Sequence, residues 1–311
     1  MSALCARAPA KINLGLWLGP PRTSDGRHEI VTVMQSISLA DELTLERRPG
    51  TATEDEVICP GVPGPPQENL AAAALRSFRA ATGWEAGPLR LSIVKRIPVA
   101  AGLGGGSADA AATLRLLRRA SGLGDEQLLY GLARSLGADV PAQVAPGRWL
   151  ATGAGERLER LPDPDPSLEL LVLPPAGALA TAAVYAEADR QRTGRAQPAL
   201  DRRVREVREA FAHGAPFPAA SGLLDNDLQP AASALFPHIG QALELARAVG
   251  ARRALVSGSG PTVVALFAGA ADSERAAAAM ADRQTAAIRA RSVGPAFARP
   301  QPLGASGGTP G

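Results

Sequence analysis

The chain has 311 residues, of which 46% are hydrophobic and only 4% aromatic, and a net charge of +3. That length supports one large domain or two ordinary ones around an aliphatic, alanine-packed core, and the small, scattered charge lacks the basic clustering that nucleic acid requires. Two cysteines are too few for a disulfide framework or a zinc site, no apolar run reaches the roughly 18 residues of a membrane span, and no secretory leader is apparent; the expectation is a cytoplasmic protein with no nucleic-acid or membrane partner.

The segment from Ala8 to Leu18 alternates as a strand does. Ile12, Leu14, Leu16 and Leu18 fall on one face, and Lys11, Asn13, Gly15 and Trp17 on the other. Pro9 confines it to an edge or to the strand's start. Lys11 is one of only two lysines, with Lys95. Beside Asn13 it forms either a solvated face or a cation and an amide lining an anion site. Asp25-Gly26 marks a turn next to His28, and strands follow at 30–35 and 42–46. Residues 49–67, rich in Pro, Gly and acidic groups, are expected to be a loop. Glu68-Asn69-Leu70 opens an alanine-rich helix to about Ala81.

Leu89, Leu91 and Ile93 then alternate as a strand, and Ala110, Leu114 and Leu117 recur at helical spacing. Between them runs Pro98-Val99-Ala100-Ala101-Gly102-Leu103-Gly104-Gly105-Gly106-Ser107-Ala108. A strand, a glycine loop and a helix start are how a backbone is shaped to hold phosphate. Glycine permits positive φ and close approach, while the first helical N–H groups lack intrahelical acceptors and sit at the positive end of the dipole. Ser107 is the expected N-cap. The run is not a P-loop, having no lysine, nor a dinucleotide fingerprint, because Ser107 stands where the third glycine belongs.

Asp125 to Leu136 is a further helix. In Gly137-Ala138-Asp139-Val140-Pro141 the acid sits in a constrained turn, either as a helix cap or as a reactive carboxylate. Trp149 to Glu156 is a strand followed by a glycine turn. The Pro- and Asp-rich stretch at 162–166 marks a boundary between domains 1–164 and 165–298. A strand at Leu168–Leu173 precedes a helix capped by Thr181, running to Arg190 and carrying Tyr185. An arginine-rich helix at 200–212, a helix opening at Leu224–Leu228 and a helix at Ile239–Val249 follow. Ala254 to Phe267 forms two strands around Ser257-Gly258-Ser259-Gly260-Pro261, a longer loop than a hairpin needs. Ala270 to Arg289 has the composition of one long helix, and 299–311 that of a disordered tail.

Four of these segments, in this order, resemble the GHMP kinases: Pro9-Ala10-Lys11-Ile12-Asn13-Leu14, the glycine run, Gly137 to Pro141, and the Gly-Ser loop. The first, with Asp25-Gly26-Arg27-His28, is similar to the branch acting on 4-diphosphocytidyl-2-C-methyl-D-erythritol. There Arg27 replaces a tyrosine that stacks on cytosine, a role a guanidinium can also fill. The resemblance covers Ala8 to Phe267. It implies an α+β fold of two domains, the first ribosomal protein S5-like and the second ferredoxin-like, with the active site in the cleft between them. It implies ATP-dependent phosphorylation of a small molecule, at the 2-hydroxyl of that cytidine-bearing alcohol, by a monomer or homodimer. By the same resemblance Pro98 to Ala108 wrap the ATP phosphates and Asn69 lies near the nucleotide. Asp139 is the catalytic base and Lys11 its cationic partner. Asn13, His28, Tyr185, Gly258 and Ser259 contact the substrate. Mg²⁺ arrives with ATP, and Ser107 is its candidate ligand.

Overall fold

The long strand β1 (Leu4–Pro21) contributes to the two main hydrophobic cores, Ile12 and Leu14 to the larger and Leu16 and Leu18 to the smaller. The computed structural model describes residues 2–175, 177–217 and 221–304. After β1 come β2 (His28–Arg47), β3 (Glu56–Ile58), α1 (Leu70–Thr82), β4 (Leu89–Val94), α2 (Gly105–Ser121), α3 (Glu126–Leu136), α4 (Val140–Val144), β5 (Arg148–Thr152) and β6 (Arg157–Leu161). The second half comprises β7 (Glu169–Leu173), α5 (Thr181–Gln191), α6 (Gln197–Phe211), α7 (Gln229–Leu235), α8 (His238–Ala248), β8 (Arg253–Val256), β9 (Val263–Phe267), α9 (Ala270–Asp282) and β10 (Ile288–Arg291), and β11 (Gln301–Pro302) closes the chain.

The first sheet has the order β11-β1-β2-β4-β3, with β5 on β2 and β6 on β5. The second is antiparallel in the order β10-β7-β9-β8, with helices following its first and third strands, which is the ferredoxin-like arrangement. The expected α+β class holds. Alanine makes the close layers: α2 buries Ala108, Ala110, Ala111 and Ala112, and α1 buries Ala71, Ala72 and Ala74.

β1 departs from the expected alternation. Its register against β2 shifts by two residues between Pro9 and Lys11, and by one residue between Asn13 and Gly15. A one-residue shift reverses the faces of everything beyond it. Ile12 and Leu14 therefore pack with Trp17 in the larger core, while Leu16 and Leu18 pack against the second sheet. Trp17, expected on the face of Lys11, is fully buried. Pro9 lies within the strand, tolerated at the first shift.

Other boundaries also differ. β2 is continuous across 36–41, where polar Ser36 and Asp41 are buried. The expected loop at 49–67 contains β3, which adds parallel to β4. α9 stops at Asp282; Gln284 takes φ 53°, and Ile288–Arg291 pairs with β7. Residues 301–302 pair with Cys5 and Leu4 of β1 instead of belonging to a tail, and 305–311 lie outside the described residues. Thr181 opens α5 from inside the helix, with Ala180 at the N-cap. No helix among the described residues is long and apolar enough to cross a membrane.

Candidate active site

The glycine run forms the wall of a cavity of about 580 Å³, which Cys59, Asn69, Lys95 and Asp109 complete. Small-molecule sites span roughly 300–1,000 Å³. Gly104, in left-handed conformation (φ 70°), is the N-cap of α2. The amides of Gly105, Gly106 and Ser107 thus open the helix without intrahelical acceptors. Ser107 is the third helical residue rather than the cap, because the left-handed glycine starts the helix earlier than a serine cap would. Asn69 caps α1: its Oδ1 accepts from the Ala71 amide at 2.9 Å, at the cavity's edge.

Lys11 and Asp139 do not line this cavity; the backbone of Leu103 and Gly104 stands between. The Lys11 amide donates to the Leu103 carbonyl at 3.0 Å, and a Cβ on Gly104 would lie 3.0 Å from Lys11 Cγ. Beyond that backbone, Lys11 Nζ lies 3.5 Å from Asp139 Oδ2 and donates to Asn13 Oδ1 at 3.0 Å. Asn13 is held in turn, Nδ2 donating to Thr32 Oγ1 at 2.8 Å and its amide to Ser257 Oγ at 3.1 Å. Asp139 occupies the N-cap position of α4 yet makes no capping bond. Its carboxylate pairs with Lys11 and is partly exposed.

The second sheet supplies the opposing loop. Thr262 Oγ1 donates to the Ala101 carbonyl at 2.6 Å, and a Cβ on Gly258 would lie 3.0 Å from Asn13 Oδ1. Ser259 Oγ is 3.0 Å from Thr181 Oγ1 at the start of α5. Asn226 fixes the loop's base. Its Nδ2 donates to the Val256 and Gly258 carbonyls at 2.8 and 2.7 Å, and its Oδ1 accepts from the Leu228 amide at 2.9 Å. With three buried bonds of about 1 kcal/mol each at stake, Asn226→Ala is expected to cost about 3 kcal/mol, measured as a lowered urea midpoint at unchanged slope.

Tyr185 and His28 meet nearby, their ring centroids 5.4 Å apart. Burial, with the charge of Asp139 adding to it, pushes the Tyr185 phenol above its usual range. The nitrogens of His28 are both engaged, Nδ1 with the Gly19 carbonyl at 2.9 Å and Nε2 with Asp189 Oδ2 at 3.2 Å. The ring is thereby fixed, and what it presents is a face rather than a polar edge. Arg27 is tied into an ionic lattice: its Nε lies 3.2 Å from Asp25 Oδ2 and its Nη2 3.7 Å from Glu156 Oε2. Arg22 bridges the same two acids and, by hydrogen bonding, holds the Asp25 carboxyl down at about 2.

A buried charge cluster under the glycine loop was not expected from the sequence. Lys95 Nζ donates to Asp41 Oδ2 at 2.5 Å and Asp109 Oδ2 at 2.7 Å, and a Cβ on Gly105 would lie 3.3 Å from that nitrogen. Asp41 Oδ1 accepts from the Arg96 and Ile97 amides at 2.6 and 2.8 Å, which anchors the entry to the loop. Burial raises the Asp109 carboxyl to about 7, with Lys95 opposing the shift and Asp41 adding to it. The signal was present, since Lys95 is the other lysine of the chain and Asp109 closely follows the glycine run.

Comparison with known proteins agrees with this geometry. Residues 69–147 match the family model for the GHMP kinases N terminal domain, and 196–285 match that for the GHMP kinases C terminal. A 4-diphosphocytidyl-2-C-methyl-D-erythritol kinase of Anaeromyxobacter sp. (strain Fw109-5) is 41% identical over 298 residues, covering 92% of this chain and 90% of the relative. One of Salinispora tropica is 41% identical, covering 88% and 86%. A crystal structure of 4-(cytidine 5'-diphospho)-2C-methyl-D-erythritol kinase superposes with a TM-score of 0.76 at 34% identity, over 93% of this chain and 98% of the other. A homoserine kinase from Cytophaga hutchinsonii shares the fold, with a TM-score of 0.74 at 16% identity over 97% of each chain. A glycine loop at a helix mouth, an acid and a lysine meeting beyond it, and these matches along nearly the whole sequence lead to one conclusion: the chain belongs to the GHMP kinase family.

Proposed function

We propose that this kinase transfers the terminal phosphoryl group of ATP to the 2-hydroxyl of 4-diphosphocytidyl-2-C-methyl-D-erythritol. The observation that carries the reading is the 3.5 Å pairing of Lys11 with Asp139 on the far side of the glycine loop, in a chain about 40% identical to kinases of that name. Phosphoryl transfer asks little covalent chemistry of a protein; it needs alignment, charge neutralisation and a place for one proton. In this reading the amides of Gly105, Gly106 and Ser107 neutralise phosphate oxygens as the helix dipole favours anions. Asp139 takes the hydroxyl proton, and Lys11 orients that hydroxyl and favours its ionised form. Asn13 holds the alcohol, while Gly258 and Ser259 close over it. Tyr185 and the face of His28 flank the cytosine.

Among the described residues no group of three or more His, Cys, Asp or Glu side chains could hold a metal ion. Mg²⁺ keeps several waters and binds chiefly through substrate phosphates, and the Ser107 hydroxyl, in the first turn of α2 on the cavity wall, would be the protein's contribution. When bound, the ion supplies electrostatic stabilisation of the phosphate oxygens.

The test is ADP release by the purified chain with ATP and each of three alcohols. The cytidine-bearing methylerythritol is expected to be turned over with kcat/KM at least about 10³-fold above homoserine or mevalonate, the margin that polar recognition of a substrate provides. Preference for either of the other two, or no ADP with any, overturns the assignment.

A further inference from the structure

Asp109 carries an oxygen that the protein does not use. The residue is 1% exposed, and its Oδ2 accepts from Lys95 Nζ at 2.7 Å. Its Oδ1 is buried with no hydrogen-bond partner among the described residues. The residue lines the cavity beneath the glycine loop, with Cys59 and Asn69 nearby on its wall. Lys95 has a second carboxylate in Asp41, at 2.5 Å, so charge pairing alone does not account for Asp109. Buried acceptors are almost always satisfied, by protein or by ordered water, so the partner of this oxygen is either a water or a donor on the molecule that fills the cavity.

The chemistry of that partner is restricted. At pH 8, above its raised ionisation, the Asp109 carboxyl is charged and only accepts hydrogen bonds. Phosphate oxygens are acceptors and anions, so the triphosphate is excluded. A divalent cation is disfavoured by the Lys95 ammonium already on the same carboxylate. What a nucleotide has left to donate is a ribose hydroxyl or the exocyclic amine of its base. We propose that Asp109 is a specificity residue that recognises the nucleoside half of the bound nucleotide, its Oδ1 accepting a hydrogen bond from that amine or hydroxyl. The inference rests on the nucleotide reading of the cavity.

The test is calorimetric binding at pH 8 of ATP, 2',3'-dideoxy-ATP (no ribose hydroxyl) and purine riboside triphosphate (no exocyclic amine). It uses the full wild-type chain, Asp109→Ala and Asp109→Asn. Wild type is expected to bind one analogue about 10- to 100-fold more weakly than ATP, the worth of one hydrogen bond to a charged group; which analogue suffers identifies the donor. In Asp109→Ala, ATP should fall to that analogue's level. Asp109→Asn preserves the shape should the alanine variant not fold. Its carbonyl is drawn to Lys95 and its NH₂ is left towards the cavity, so the preference for the donor-bearing nucleotide is again lost. Equal binding of all three by wild type, or undiminished discrimination by the variants, overturns the proposal. Absence of ATP binding by wild type would instead overturn the nucleotide reading itself.

Discussion

Asp139→Asn is expected to lower kcat by about 10²- to 10⁴-fold, the usual contribution of a general base, while the affinity for ATP stays within about two-fold. The role in turnover proposed for this residue is separable from any role in stability. Its carboxylate makes no capping bond to α4 and is 39% exposed. An ion pair so placed contributes about 0–1 kcal/mol to folding, so the unfolding midpoint should barely move. The backbone that carries it is nonetheless fixed, because all of α4 from Val140 to Val144 is buried and Pro141 lies in its first turn. Asparagine retains the shape and the reach to Lys11 but cannot take up a proton at neutral pH. Single-turnover kinetics with pre-bound ATP measure the effect. Undiminished turnover would remove Asp139 from the base role, and a collapse of ATP affinity would show that it serves the phosphate half of the site instead.

What could be read in advance was what depends on local chemistry. The glycine run is legible because four glycines in five positions have no economical explanation as a plain turn, and Asp139 because Gly137 and Pro141 bracket it. The bulges of β1 are not legible. Ile12, Leu14, Leu16 and Leu18 alternate without interruption, and only pairing with β2 on one side and with residues 225–227 on the other shifts the register. The same tertiary pairing turns Ile288–Arg291 from an apparent continuation of α9 into an edge strand. The cluster joins Lys95 and Asp109, which flank the glycine run, to Asp41, which lies 54 residues before Lys95. Sequence spacing cannot bring it together, although the rarity of lysine pointed at one member. Arg27 is a different case. Its stacking role follows from residue type and its ion pair with Asp25 is local, while its ion pair with Glu156 depends on the turn between β5 and β6.

Gly102→Ala tests whether the two loops work as one device. Gly102 and Gly122 have nearly the same left-handed backbone, φ 75° and 70°, and differ in surroundings. A Cβ at Gly122 has nothing within 4 Å, whereas at Gly102 it would lie 2.6 Å from the Gly260 carbonyl oxygen. Forcing alanine into this conformation alone costs about 1–2 kcal/mol, and that is the expected result for Gly122→Ala, with KM for ATP unchanged. At Gly102 the loop from the second sheet must also retreat, which strains the 2.6 Å bond from Thr262 to Ala101. The expected loss there is about 2–4 kcal/mol in urea unfolding, within the range for backbone strain plus a broken buried contact. KM for ATP should rise by about ten-fold or more, since a displacement near 1 Å can cost far more than that in a positioned site. Matching phenotypes for the two variants would mean that the glycine loop keeps its shape without the clasp from Gly260 and Thr262. A defect in ATP binding confined to Gly102→Ala would mean that the second half of the chain holds the phosphate loop in its working form.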